Sequence, residues 1–268
     1  MVCPTWRKKD IGANPSGTPL LQAIIVGLHH AICMNTAQRV NNLAQLLCNS
    51  GNGRKKNPRA HFYGRPLTIE DHQNSPWIVE PYHLNDICLV SDGAVSVVVT
   101  TEDRAKDLKK PPVWVLGCGF GEAMANLWWE KENYTKLAVQ TAKDQAFRQA
   151  GITLEDIDCA QLYDCFTGEV LFQLEDYGWC EKGSGGAFVE AGSIGPGGSI
   201  PVNTSGGLLS AYHFGDLTGL SEAVLQLRGE AGERQIQNCE VALVTGHGGE
   251  VLSPAMCSIH STLLLGGN

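Results

Sequence analysis

The chain has 268 residues and a mass of 28.9 kDa, enough for one large domain or two of ordinary size. Hydrophobic residues make up 43% and charged residues 18%, the balance of a soluble globular protein, and no apolar run reaches the roughly 20 residues of a membrane-spanning helix. Lys plus Arg number 20 against 28 Asp plus Glu, a formal charge of −8 with no clustered basic face, so neither nucleic acid nor membrane is an expected partner and an anionic substrate would need local positive charge.

The first 57 residues carry "NPSGTP", the mixed apolar stretch "LLQAIIVGLHHAICM" and "CNSGNGRKK", with no sustained period. From Asn57 the text changes. "SDGAVSVVVTTEDRAKDL" predicts a turn at Gly93, a strand over Val95 to Thr101 and a short helix capped near Thr101. "PPVWVLGCGFG" reads as a second strand. Leu137, Ala138, Thr141, Ala142 and Phe147 approximate one helical face, with Gly151 as the stop. Thr153 and Asp156 form a capping-box pattern ahead of a short strand ending at Leu162. Phe166, Val170, Leu171 and Leu174 repeat at helical spacing, and "WCEKGSGGAFVEAGSIGPGGSIPVN" reads as one long Gly-rich loop. A helix over about Leu217 to Arg228 and the strand "VALVTG" at 241 to 246 complete an α/β order, with polar sites at strand ends.

The 10 cysteines lie between Cys3 and Cys257 without a CxxC pair, a distribution that suits reduced thiols in the cytoplasm and disfavours structural zinc. His213, on a Gly-bordered turn leading into a helix, suits a general base or a donor to a developing oxyanion; the alternative is a surface loop histidine. Gly206 and Gly207 either turn their N–H groups toward a carbonyl oxygen or make an ordinary turn. Tyr163 and Asp164 sit in "QLYDCF" at a strand exit, where Asp164 is a site residue or a helix cap, and Cys165 is a nucleophile or a small buried hydrophobe. Gly246, Gly248 and Gly249 in "TGHGGE" lack the lysine of a phosphate loop, and Cys257 and His260 would point to opposite faces of a strand.

"SGGLLSAYHFGDLTGLSEAVLQLRGEAGERQ" and "NPRAHFYGRPLTIEDHQNSPWIVEPYHLNDICLVSDGAVSVVVTTEDRA" resemble the thiolase superfamily, specifically its sterol carrier protein x and lipid-transfer-protein thiolase-like branch, over about Asn57 to Gly267. The resemblance implies a thiolase-like α/β fold, with residues 58–114 as the end of the N-terminal thiolase domain and 115–268 as the C-terminal domain. Residues 1–57 are read as an atypical out-of-frame or disordered segment. Freely chosen codons for His30 to Asn57, shifted by one nucleotide, can spell text like that which the family carries upstream of its "NPRA" motif; an intact reading frame through this point refutes the shift. A missing N-terminal half implies an exposed apolar face and self-association.

By the same resemblance, His213 falls at the histidine that activates a nucleophilic Cys and helps bind the thioester oxygen, with Tyr212 and Phe214 replacing the flanking Gly and Pro. Tyr163 falls where thiolases hold an Asn, or this branch a His, that positions a water in the second oxyanion hole; a tyrosine there looks like the aldolase variant. Asp164, Asn203, Gly206, Gly207, Gly248 and Gly249 are the accompanying oxyanion or substrate-positioning candidates, and no metal is expected. The Cys-x-Gly base expected around Val244 to Gly246 is absent, and Cys257 lies some ten residues late. The resemblance therefore implies acyl-CoA chemistry on a lipid or steroid side chain. Three forms are open: acyl transfer of the condensation or thiolysis type, retro-aldol cleavage of a β-hydroxyacyl-CoA by Tyr163, or a non-catalytic fragment or partner subunit. Coenzyme A thioester is the substrate rather than a cofactor, the intact family forms homodimers, and the aldolase branch works with a zinc-ribbon and OB-fold protein. The terminal "GGN" is not a peroxisomal address.

Overall fold

A computed structural model describes residues 55–79, 82–122, 136–248 and 259–267. The atypical segment expected over 1–57 lies almost entirely outside these residues. Its last member, Asn57, is buried and donates from Nδ2 to the Ser205 carbonyl at 3.0 Å, so the chain is already locked into the fold there.

A four-stranded mixed sheet forms the centre, built from β3 (Trp114–Glu122), β4 (Cys159–Gln161), β5 (Val241–Gly248) and β6 (Ile259–Gly266) in the order β3-β6-β5-β4. β6 runs antiparallel to both β3 and β5, while β4 and β5 run parallel. Along β5, Leu243 enters the larger core while Ala242 and Val244 enter a second cluster, as the two-residue strand period requires when both faces are covered. The first face carries α3 (Val139–Ala150) and α4 (Thr167–Tyr177), and the second carries α7 (Leu217–Leu227). This three-layer arrangement is the α/β fold expected from the element order. Short elements complete the chain: α1 (Ile69–Gln73), β1 (Trp77–Val79), β2 (Tyr82–His83), α2 (Glu102–Ala105), α5 (Gly185–Glu190) and α6 (Gly207–Ser210). Among the described residues no helix is long and apolar enough to cross a membrane.

The contact between α3 and β3 is written in two matched periods. Gly117, Gly119 and Gly121 alternate on one face of β3, and an added Cβ at each would lie 2.1, 1.9 and 2.1 Å from the carbonyl oxygens of Ala146, Ala142 and Ala138. Helix backbone thus rests directly on strand backbone. Gly119→Val is expected to destabilise the fold by about 1–3 kcal/mol, the usual cost of overpacking, read as a lower urea midpoint.

Two expectations need correction. The strand expected over Val95 to Thr101 does not form: the segment has no strand hydrogen bonding, and Val98 and Val99 are 90% and 85% exposed. β-branched residues favour a strand only when a neighbouring strand satisfies their backbone, and among the described residues none pairs with this run. Its valines form one wall of an open groove with Val115, Val224 and Leu265. Second, the Gly-rich stretch after Trp179 is not all loop. It contains α5, because Val189 is fully buried and Gly185 lets the helix start against Glu175 and the Leu171 carbonyl. The other elements lie where the sequence places them, with Gly151 ending α3 at φ +69 and β4 closing one residue before Leu162.

Candidate active site at the end of β4

Asn203 fixes the exit of β4. Its backbone takes the left-handed conformation, φ +49, which asparagine tolerates better than most residues. Its side-chain amide then pairs with the Leu162 backbone in both directions, accepting from the N–H at 2.8 Å and donating to the carbonyl at 2.9 Å. The strand is extended by a side chain acting as backbone. Tyr163, next along, donates its N–H to Thr245 Oγ1 at 2.8 Å and accepts at its carbonyl from Gln173 Nε2 at 2.8 Å. Thr245 in turn donates to Gln173 Oε1 at 2.6 Å, so β5 and α4 together hold the tyrosine that follows β4.

The Tyr163 side chain reaches His213, with Oη 3.2 Å from Nε2. His213 is positioned by its backbone: its N–H donates to Ser91 Oγ at 3.1 Å, and the following Phe214 N–H donates to Thr218 Oγ1 at 3.0 Å. Gly93 belongs to the same brace, since a Cβ there would strike the Phe214 ring at 2.2 Å. The segment 88–93 therefore shapes this turn, with further ties from Cys88 N to the Cys165 carbonyl and Leu89 N to the Leu208 carbonyl. Tyr163 and His213 thus converge, and Tyr163 also borders a crevice of about 10 Å³, room for about one water, lined with it by Gln161, Asp164, Asn203, Asp216 and Thr245.

The remaining site candidates also tie the surrounding backbone together. Asp164 accepts from the Leu208 N–H at 2.8 Å and the Leu209 N–H at 3.5 Å, capping α6 rather than the helix that follows it in sequence. Gly207 has φ +61, and a Cβ there would lie 2.1 Å from the Asp164 carboxylate. Of the two readings of Gly206 and Gly207, the turn is the one that forms: Gly206 N–H donates to the Asn203 carbonyl at 2.9 Å and Gly207 N–H to Ser205 Oγ at 3.3 Å. Asn203, besides its pairing with Leu162, hydrogen-bonds the Asp164 carboxyl and lines the crevice. Gly248 ends β5 opposite Ile259, away from the residues lining the crevice, and Gly249 and Cys257 lie outside the described residues.

Burial pushes the Asp164 carboxyl up to about 7, with the two N–H donors opposing that rise. A folded-state value above the ordinary carboxylate value of 3.8 means that the folded chain binds the proton more tightly. Its contribution is fully present below that value and is lost as pH rises through about 7. Urea midpoints are therefore expected to fall between pH 5 and pH 8 by a component that Asp164→Asn lacks.

Several groups were not legible in advance. Gln173 and Thr245 are buried polar residues inside otherwise apolar elements, as are His247 and Glu169, whose side chains approach to 3.4 Å. Of the neighbouring thiols, Cys88 is pushed up to about 11 by burial and by Asp164, so it is not a ready thiolate. Among the described residues no group of three His, Cys, Asp or Glu side chains could hold a metal ion.

Fold and site define an α/β protein with a phenol–imidazole pair, able to share a proton, at the exit of a buried strand. Residues 122–262 match a family described as thiolase C-terminal domain-like. The chain belongs to the thiolase superfamily, in its sterol-carrier-protein-2-like branch. It is similar to a 17-hydroxy-3-oxo-4-pregnene-20-carboxyl-CoA lyase of Mycobacterium tuberculosis, 42% identical over 70% of this chain and 50% of that protein. An acetyl-CoA acetyltransferase of Methanothermobacter thermautotrophicus is 36% identical over 72% of this chain and 51% of its own length. Among solved structures, an Ltp2-ChsH2(DUF35) aldolase superposes with a TM-score of 0.84 at 33% identity, covering 94% of this chain and 65% of that one. The chain spans about half the length of the curated relatives it matches.

Proposed function

We propose that the chain carries the proton-transfer half of a retro-aldol lyase acting on a β-hydroxyacyl-CoA of the lipid or steroid side-chain class. The observation that carries this reading is the 3.2 Å approach of Tyr163 Oη to His213 Nε2. A retro-aldol cleavage begins when the substrate β-hydroxyl loses its proton, and a phenol that passes its own proton to an adjacent imidazole can accept it. As the β-oxygen becomes a carbonyl, the Cα–Cβ bond breaks and its electron pair forms the thioester enolate. The proton held by the Tyr163–His213 pair then returns to Cα, giving a shortened acyl-CoA and a ketone or aldehyde. No protein thiol is consumed. The similarity to a lyase and to an aldolase supports the same chemistry.

The acyl-transfer reading is favoured by one finding, the 36% identity to an acetyl-CoA acetyltransferase. It needs a nucleophilic cysteine. The raised Cys88 thiol speaks against that residue as the nucleophile. We further infer, from the aldolase that carries a DUF35 component, that a partner protein of that kind completes the active assembly. Incubating the chain with a branched β-hydroxyacyl-CoA, with and without such a partner, and following release of the carbonyl product tests the reading. Thiolysis without carbonyl release sinks it.

A further inference from the structure

The proton exchange through Tyr163 and His213 leaves a second buried imidazole without a role. His247 sits in β5 with its side chain enclosed, Nε2 lies 3.4 Å from Glu169 Oε2, and the Glu169 side chain, from α4, is equally enclosed. The His247 ring lies 6.0 Å, centroid to centroid, from the Tyr163 ring. Tyr163 thus has one imidazole in hydrogen-bond reach of its oxygen and a second in ring contact.

Among the described residues, other titratable groups pack around His247 from each neighbouring element. From β6, His260 is its register partner at 6.1 Å, and burial pushes that imidazole down to about 4, so it is neutral at pH 7. From α4, Tyr177 lies 3.0 Å from His260 Nε2, and burial drives its phenol well above the ordinary value, so it too carries no charge. Asp216, ahead of α7, accepts a backbone hydrogen bond from His247, and burial raises its carboxyl. Glu169 is therefore the enclosed carboxylate within ion-pair distance of the ring. A buried carboxyl and a buried imidazole at this distance can share one proton, and each satisfies the other only as a pair.

We propose that Glu169 and His247 form a buried ion pair that acts through Tyr163, the imidazolium favouring negative charge on the phenol as it exchanges its proton. Both are positioning residues, acting through Tyr163. The role rests on the reading of Tyr163 as proton acceptor, and its test needs no turnover, so failure of the lyase reading and failure of this one are separable. His247→Gln removes a positive charge beside the phenol and raises its pKa. Glu169→Gln strips the imidazolium of its counterion, the enclosed ring sheds its proton, and the phenol pKa moves in the same direction.

The experiment is fluorine NMR of the full chain carrying 3-fluorotyrosine at its 6 tyrosines, titrated with pH, with Tyr163→Phe assigning the resonance. The Tyr163 midpoint is expected to rise by about one pH unit in both variants, the scale of one partly compensated charge at about 6 Å in a protein interior. Glu169→Asp keeps the charge and is expected to leave the midpoint where it is, a comparison that stands even where His247→Gln does not fold. A midpoint unmoved in Glu169→Gln overturns the proposal. So does a downward shift in that variant, which would mean that a bare carboxylate faces the phenol.

Discussion

Tyr163→Phe is expected to lower the rate of carbonyl release by about 10²–10⁴-fold, the range over which a positioned acid–base group contributes. The substitution removes one oxygen and keeps the ring. The backbone ties from Thr245 and Gln173 are to main-chain atoms and survive it, so stability should change little and the loss should fall on kcat rather than KM. His213→Asn should lose a similar factor, and the double variant should lose little more than either alone, because the two side chains act as one proton-carrying unit. A double variant whose losses multiply would show two independent roles. Circular dichroism melting of each variant separates chemistry from unfolding.

The second large effect concerns stability. Arg234→Leu is expected to cost about 3–5 kcal/mol, the penalty for leaving a buried charge without its partner. Arg234 Nε lies 2.9 Å from Glu222 Oε1 and Nη2 lies 2.9 Å from Oε2, with the Glu222 side chain 2% exposed. Glu222 Oε1 also accepts from Thr204 Oγ1 at 2.8 Å and from Gln226 Nε2 at 3.0 Å, and Gln161 Nε2 donates to Thr204 Oγ1 at 3.2 Å. The network fastens the Asn203 turn to α7, so its loss should also loosen Tyr163. Glu222→Leu combined with Arg234→Leu removes both charges and should recover much of the stability, measured by urea unfolding; a double variant as unstable as the single one would contradict the ion-pair account.

The parts of the fold that the sequence revealed are those governed by short-range rules. Gly151 stops α3 because a left-handed residue is needed there, and "VALVTG" reads as a strand because its apolar run is buried on both faces. Val95 to Thr101 shows where such rules stop: the residues prefer a strand, but pairing depends on a neighbour that no local pattern encodes. The short helix α5 was hidden among glycines for the converse reason, since only packing against α4 reveals it. At the site, Tyr163 and His213 were visible as polar residues at strand and turn ends, fifty positions apart. What joins them was not visible. Asn203 reads as an oxyanion candidate, and its bonds to Leu162 appear only once the turn closes on β4. Gln173, Thr245, Glu169 and His247 each read as isolated polar residues in apolar elements, and they acquire meaning only where three elements meet at Tyr163. The motif "LRGEAGERQ" pointed to a family, whereas its physical work is to bring Arg234 onto Glu222.

The most direct test of the Tyr163–His213 account follows the fate of one carbon. A β-hydroxyacyl-CoA labelled with carbon-13 at the hydroxyl-bearing position is incubated with the chain and a DUF35-type partner after every accessible thiol has been alkylated. The account requires the label to emerge in a free ketone or aldehyde, alongside an unlabelled shortened acyl-CoA and with no acyl mass on the protein. Label retained in an acyl-enzyme, or turnover abolished by alkylation while Tyr163 is intact, would contradict it.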